Sequence, residues 1–235
     1  MTIGAIDESQ RKAARAVGIT YLVAMATSAF SETYVRSRLI VSDNATETAH
    51  RIMAHEQLFR LGIASELITF VGTLVLLTSL YVILRPFGPH LALFAACSRL
   101  MEAAVCIVMT LTSLDVLRVL SGAEYLKSFE PDRLYVLARL SIGQHGAAYN
   151  MAFFFLGLGS TAFAVLWLRS NYIPKPLAML GVLGSALIAA GALLFIVFPD
   201  FNIPLPVTMA PIGVFEVTMG FWLLFKGLPG PKQHA

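Results

Sequence analysis

The sequence predicts an all-α fold: a polytopic helix bundle with six transmembrane helices in a single integral membrane domain, residues 1–235. Three observations carry this reading. The chain is 57% hydrophobic and only 13% charged, with a mean hydropathy of +0.74, whereas about a quarter of the residues of a soluble domain are charged. Six apolar stretches each approach or exceed the roughly 20 helical residues needed to cross the hydrocarbon core. Between them lie short connections rich in proline, glycine and charge, which read as loops.

The first stretch, about 13–40, follows a polar start. It is too long for a signal-peptide core and no small-residue cleavage site follows, so it is read as a helix of the mature chain. The second, 58–84, ends at Arg85-Pro86-Phe87-Gly88-Pro89, a tight turn into the third, 90–120. The fourth, 140–168, is divided from the fifth, 177–198, by Asn171-Tyr172-Ile173-Pro174-Lys175-Pro176. Residues Pro199 to Pro206, with three prolines, separate the fifth from the sixth, 207–225. Proline ends helices and favours extended turns. The two longer connections, 41–57 and 121–139, are charged and are expected to carry short interfacial helices. In the second, Glu130-Pro131-Asp132 reads as a helix start, with proline at the first helical position and acids near the positive end of the helix.

Backbone groups in lipid must be satisfied within the segment, so spans of this length are helices. Orientation follows the basic residues near the helix ends. Arg11, Lys12 and Arg15 mark the N-terminal end, Arg85 lies in the second connection, Arg169 and Lys175 lie in the fourth, and Lys226 and Lys232 follow the last helix. The 199–206 connection has none. Both termini are therefore expected on the cytoplasmic side. The net charge of +3 is small and the basic residues are scattered, which excludes a nucleic-acid surface. Cys97 and Cys106 lie on one expected helix, too far apart to bridge, and read as small buried apolar residues.

The informative residues are charges inside the spans. A charge at mid-bilayer costs about 2.5–3.5 kcal/mol on the lenient insertion scale, so each must pair, face the bundle interior or reach water. Arg99 and Glu102 fall near the midplane of the third helix, three residues apart and so on one face. Glu32 and Arg36 sit one turn apart in the outer third of the first. Glu66, on the second helix, and Glu216, on the sixth, have no basic partner one turn away on their own helix. They read as cross-helix partners of Arg99 or as carboxyls kept neutral by desolvation. His145, Tyr149 and Asn150 mark a polar face of the fourth helix, and Arg60 lies where its long side chain can reach the headgroups. Counted at about 1.5 Å per residue, these depths run from the midplane outward. They suggest a polar pocket lined by helices 1, 2, 3, 4 and 6 and open toward the outer side, with helix 5, rich in small residues, serving packing.

Several strings resemble the bacterial membrane family DUF4386, a domain of unknown function. They are Phe30-Ser31-Glu32-Thr33-Tyr34-Val35-Arg36, Glu56-Gln57-Leu58-Phe59-Arg60, Arg99-Leu100-Met101-Glu102, Phe154-Phe155-Leu156-Gly157-Leu158-Gly159, Arg169-Ser170-Asn171-Tyr172-Ile173-Pro174, and Glu216 before Leu223-Leu224-Phe225-Lys226-Gly227. The resemblance runs from about Arg15 to Gly227. It implies residence in the bacterial cytoplasmic membrane and places Glu32, Arg36, Arg60, Arg99, Glu102 and Glu216 in family motifs, but assigns them no role.

The sequence has no phosphate-binding glycine loop, nucleophile elbow, CxxC or HExxH. A carboxylate-rich metal site from Glu66, Glu102, Glu216 and His145 is chemically open, but no metal and no cofactor is assigned. The first functional expectation is a protein that binds, and transforms by acid–base isomerisation or cyclisation, a lipid-like or isoprenoid molecule. Its catalytic candidates are Glu66, Glu102 and Glu216. Its ligand-binding candidates are Glu32, Arg36, Arg60, Arg99, His145, Tyr149 and Asn150. Membrane lipids, a hydrophobic or amphipathic small molecule and a second copy of the chain are the expected partners. A small proton-coupled carrier using the same acids is the second reading. A non-catalytic sensor or partner subunit, in which the ion pairs only specify packing, is the third.

Overall fold

The computed structural model describes residues 6–198 and 205–229. These form seven helices: α1 (Glu8–Leu39), α2 (Ala45–Ala54), α3 (Glu56–Leu84), α4 (Pro89–Val119), α5 (Pro131–Ser170), α6 (Lys175–Val197) and α7 (Leu205–Phe225). No strand occurs among the described residues. All but α2 are long and apolar enough to cross a membrane. Each of the six expected spans is present. The connection at 199–204 and the basic Lys232 lie outside the described residues.

The start of the fourth span differs in an instructive way. The fourth span starts at Pro131 rather than near 140, because the helix start at Glu130-Pro131-Asp132 runs without a breaker into the apolar stretch. The interfacial helix expected there is thus the polar beginning of α5 itself, preceded by one 3-10 turn at Glu124–Leu126. In the other long connection the expected short helix is α2. Asn44 caps it by accepting from the Glu47 N–H at 2.9 Å.

Helix ends follow local chemistry. Asp7 and Gln10 form a reciprocal capping box on α1: the Gln10 N–H donates to Asp7 Oδ1 at 2.7 Å and the Asp7 N–H donates to Gln10 Oε1 at 3.2 Å. After α5, Asn171 takes a left-handed φ of 53°, the stop that asparagine tolerates better than most residues. Within α1, Phe30–Arg36 is π-helical. Such turns are rare inside α-helices and occur frequently at functional sites.

The chain divides into two compact units. The first comprises Met1–Met25, Val71–Ala103 and Asn150–Ala235. Its core includes Val17, Leu80, Ile83, Leu166, Trp167 and Met219, all fully buried. Glycines let α6 lie close to its neighbours: a Cβ on Gly181 would sit 2.7 Å from the Phe215 ring, and one on Gly157 of α5 would sit 2.6 Å from the Ala189 nitrogen. Packing is thus what the small residues of α6 do. The second unit comprises Ala26–Phe70 and Ala104–Tyr149, around a core of Val35, Leu39, Ile52, Phe59, Val116 and Ile142. In both units large aliphatic side chains remain exposed, among them Leu183 and Val71 in the first and Ile107 and Leu111 in the second. That pattern suits a surface that meets lipid tails.

Candidate functional site

The charged residues of the spans fall into two groups, one in each unit. In the second unit the π-helical turn of α1 presents Ser31, Glu32 and Arg36, α3 presents Glu66, and α5 presents His145 and Tyr149. Gly62, one turn before Glu66, permits this approach, since a Cβ there would lie 2.9 Å from Val35 Cγ1. Glu66 and His145 are 5% and 2% exposed. The Ser31 hydroxyl donates to Glu66 Oε1 at 2.8 Å, and His145 Nε2 lies 3.4 Å from the same oxygen. Neither Glu66 Oε2 nor His145 Nε2 has a hydrogen-bond partner. Tyr149 stacks on His145 at 6.2 Å and shares a hydrogen bond with Ser28. Glu32 lies nearer the surface, with Arg36 Nε 3.7 Å from its Oε2.

Glu66, read from sequence as a partner of Arg99 or a neutral carboxyl, thus finds its partners in Ser31 and His145. Around it runs a cleft lined by Arg36, Phe59, Ile63 and Ser113 that leaves no room for a water-sized sphere. On the exposed side of α5 an open groove of ≈ 610 Å³ is lined by Asp43, Ala45, Arg139, Leu140, Gly143, Gln144 and Ala147. Its lining alternates charged or amide groups with apolar ones.

In the first unit, Arg99 Nη1 lies 2.9 Å from Glu102 Oε2, both side chains being under a tenth exposed. The same nitrogen donates to the Ser160 hydroxyl at 3.4 Å. The stem of Arg99 runs where a side chain on Gly159 would be, with its Cγ 2.8 Å from the position of an added Cβ. Glu216, half-buried on α7, is within electrostatic reach of Arg99. Asn150 directly follows Tyr149 on α5. Arg60 pairs with Glu56 at 2.7 Å on an exposed face, so it stands apart from both groups, in keeping with a long side chain reaching outward. Sequence reasoning missed Ser31, Ser28 and Ser160. Hydroxyls are common in spanning helices, where many only bond back to their own backbone, as Thr33 does to Ala29. Their cross-helix roles carry no spacing signal.

A helical bundle with six apolar spans and buried ionisable groups defines an integral membrane protein. The family DUF4386, described as a domain of unknown function, matches residues 16–227, and the chain belongs to it. No curated protein and no solved structure matches the chain.

Proposed function

We propose that this protein binds a lipid-like, amphipathic molecule in the bacterial cytoplasmic membrane and performs proton transfer on it, as in an isomerisation or cyclisation. The observation that carries the reading is the Glu66–His145 pair. A carboxyl and an imidazole 3.4 Å apart form a donor–acceptor couple that a small closure tightens, as is common for acid–base groups before substrate is bound. Ser31 holds one oxygen of Glu66, which leaves the other to give or take a proton. Tyr149 fixes the imidazole plane by stacking.

The open groove beside α5 supports the ligand class. Its ≈ 610 Å³ falls in the range of small-molecule sites. Arg139, Asp43 and Gln144 suit a polar head, and Leu140, Gly143 and Ala147 suit an apolar tail. Arg99–Glu102 serves α4 as an internal ion pair in this scheme and takes no part in the chemistry.

Mass spectrometry of molecules that copurify in mild detergent tests the proposal. The native chain is expected to carry a lipid-like compound. Gly143→Leu, which fills the groove, is expected to lose it, and Glu66→Gln is expected to retain it unconverted. If both variants carry and turn over the same compound as the native chain, the proposal is wrong.

A further inference from the structure

Glu32, Glu66 and His145 share a property that proton transfer alone leaves unused. One carboxylate oxygen from each glutamate and one ring nitrogen of His145 all lie within 4.8 Å of one another. The 3.4 Å between His145 Nε2 and Glu66 Oε1 is the edge of a tetrahedron with metal–ligand bonds of about 2.1 Å. A second, separate observation concerns satisfaction. Glu66 and His145 are more than nine-tenths buried, yet Glu66 Oε2 and His145 Nε2 have no hydrogen-bond partner. Buried polar atoms are paired in the great majority of cases. Two unpaired atoms with lone pairs in one cluster point to a shared acceptor of those lone pairs.

We propose that Glu32, Glu66 and His145 bind a divalent transition-metal ion of the Zn²⁺ type. Two carboxylates balance the charge of the ion, and an imidazole completes a nitrogen–oxygen donor set that suits it. Three protein ligands of this kind occur in catalytic zinc sites; a fourth ligand would enter only as the cleft around Glu66, which leaves no room for a water-sized sphere, opens. The supporting shell is present: the Ser31 hydroxyl orients the Glu66 carboxylate and Tyr149 stacks on the imidazole, the kind of outer contact that tunes metal affinity. Arg36 is the competing cation. At 3.7 Å from Glu32 it lies beyond hydrogen-bond range, so Glu32 is free to turn toward the ion. The inference deepens the function proposed above, since it concerns the same centre. With the ion bound, Glu66 and His145 would be its ligands, and the ion would supply a polarising charge at that centre.

The test uses the full chain in detergent, stripped with a chelator and titrated with Zn²⁺ or Co²⁺ alone. Metal content and the Co²⁺ absorption spectrum are read, and thermal melting checks each variant. One ion per chain with a tetrahedral Co²⁺ spectrum is expected. Glu32→Gln and His145→Ala are each expected to weaken binding at least tenfold, Arg36→Gln to tighten it, and the exposed Arg60→Gln to leave it unchanged. Should His145→Ala fail to fold, Glu32→Gln and Arg36→Gln decide by their opposite shifts. No stoichiometric ion on the native chain, or native affinity in both Glu32→Gln and Arg36→Gln, overturns the site. The metal probe needs no lipid. A chain that takes the ion but copurifies no lipid therefore retains this inference and loses the proposed function, and the reverse result separates them the other way.

Discussion

At the scale of single residues, the burial of charge governs what substitutions do. Arg99 and Glu102 face each other at 2.9 Å with little exposure. Removing Arg99 leaves the Glu102 carboxyl buried without its cation, at a cost of about 3–5 kcal/mol, whereas replacing both by apolar residues of similar volume is far milder. Arg99→Ala is therefore expected to lower unfolding stability in detergent sharply, and Arg99→Met with Glu102→Leu to recover most of the loss. Ser31 offers a smaller test. Ser31→Ala removes the 2.8 Å bond to Glu66 and leaves that carboxyl still less satisfied, for about 1–3 kcal/mol. The pairing of Arg99 with Glu102 was legible from their i,i+3 spacing. The pairing of Glu66 with His145 and Ser31 was not, because contacts between helices leave no mark in sequence spacing.

At the scale of elements, close helix packing and helix starts make separable predictions. Gly157 sits where any Cβ would collide with the backbone of α6, 2.6 Å from the Ala189 nitrogen, whereas a Cβ added to Gly146, on the same helix, would meet nothing within 4 Å. Gly157→Ala is expected to destabilise by about 1–3 kcal/mol through overpacking. Gly146→Ala is expected to stabilise α5 by about 0.5–1 kcal/mol, since alanine loses less backbone entropy in a helix. Denaturant unfolding of the two variants side by side checks the contrast.

The first turn of α1 should respond to acid. The Gln10 backbone N–H, bonded to the Asp7 carboxylate, holds that carboxyl below its ordinary pKa. A depressed folded pKa gives stability that is fully present above the unfolded pKa, about 4, and is lost as the pH falls through the folded value. The protection of amides in residues 8–12, taken relative to their intrinsic exchange at each pH, is thus expected to fall below about pH 4. In Asp7→Asn, which keeps a capping oxygen without a titrating group, the protection should lose that pH dependence. The π-helical turn at Phe30–Arg36 was not readable beforehand: Glu32 and Arg36 look like an ordinary one-turn pair, and only the backbone shows the wider winding that brings Ser31 to Glu66.

At the scale of the whole molecule, the distribution of Arg and Lys proposes that both termini face the cytoplasm. Ser9 and Ser128 are exposed in the structure, in the first turn of α1 and before α5 respectively. In a chain whose native cysteines are replaced, Ser9→Cys is expected to react with a membrane-impermeant thiol reagent only after the membrane is opened. Ser128→Cys should react in intact cells. The opposite pattern would invert the proposed orientation and place the groove beside α5 on the cytoplasmic side.

Sequence alone determined the class of fold, the number and placement of the spans and the identity of the buried charges. The reason is energetic: a bilayer demands about 20 apolar helical residues per crossing and penalises each charge left inside, so composition along the chain is nearly a map of the helices. The resemblance of local strings to the family was legible as well. Tertiary structure alone decided how the charges combine. A single pocket shared by Glu32, Glu66, Arg99, Glu102, Glu216 and His145 was the natural reading of their depths, yet they fall into two groups in two units. Depth along a helix fixes one coordinate of a residue. The rotation of each helix about its axis, which the π turn in α1 and the close approach at Gly62 set, decides which side chains meet.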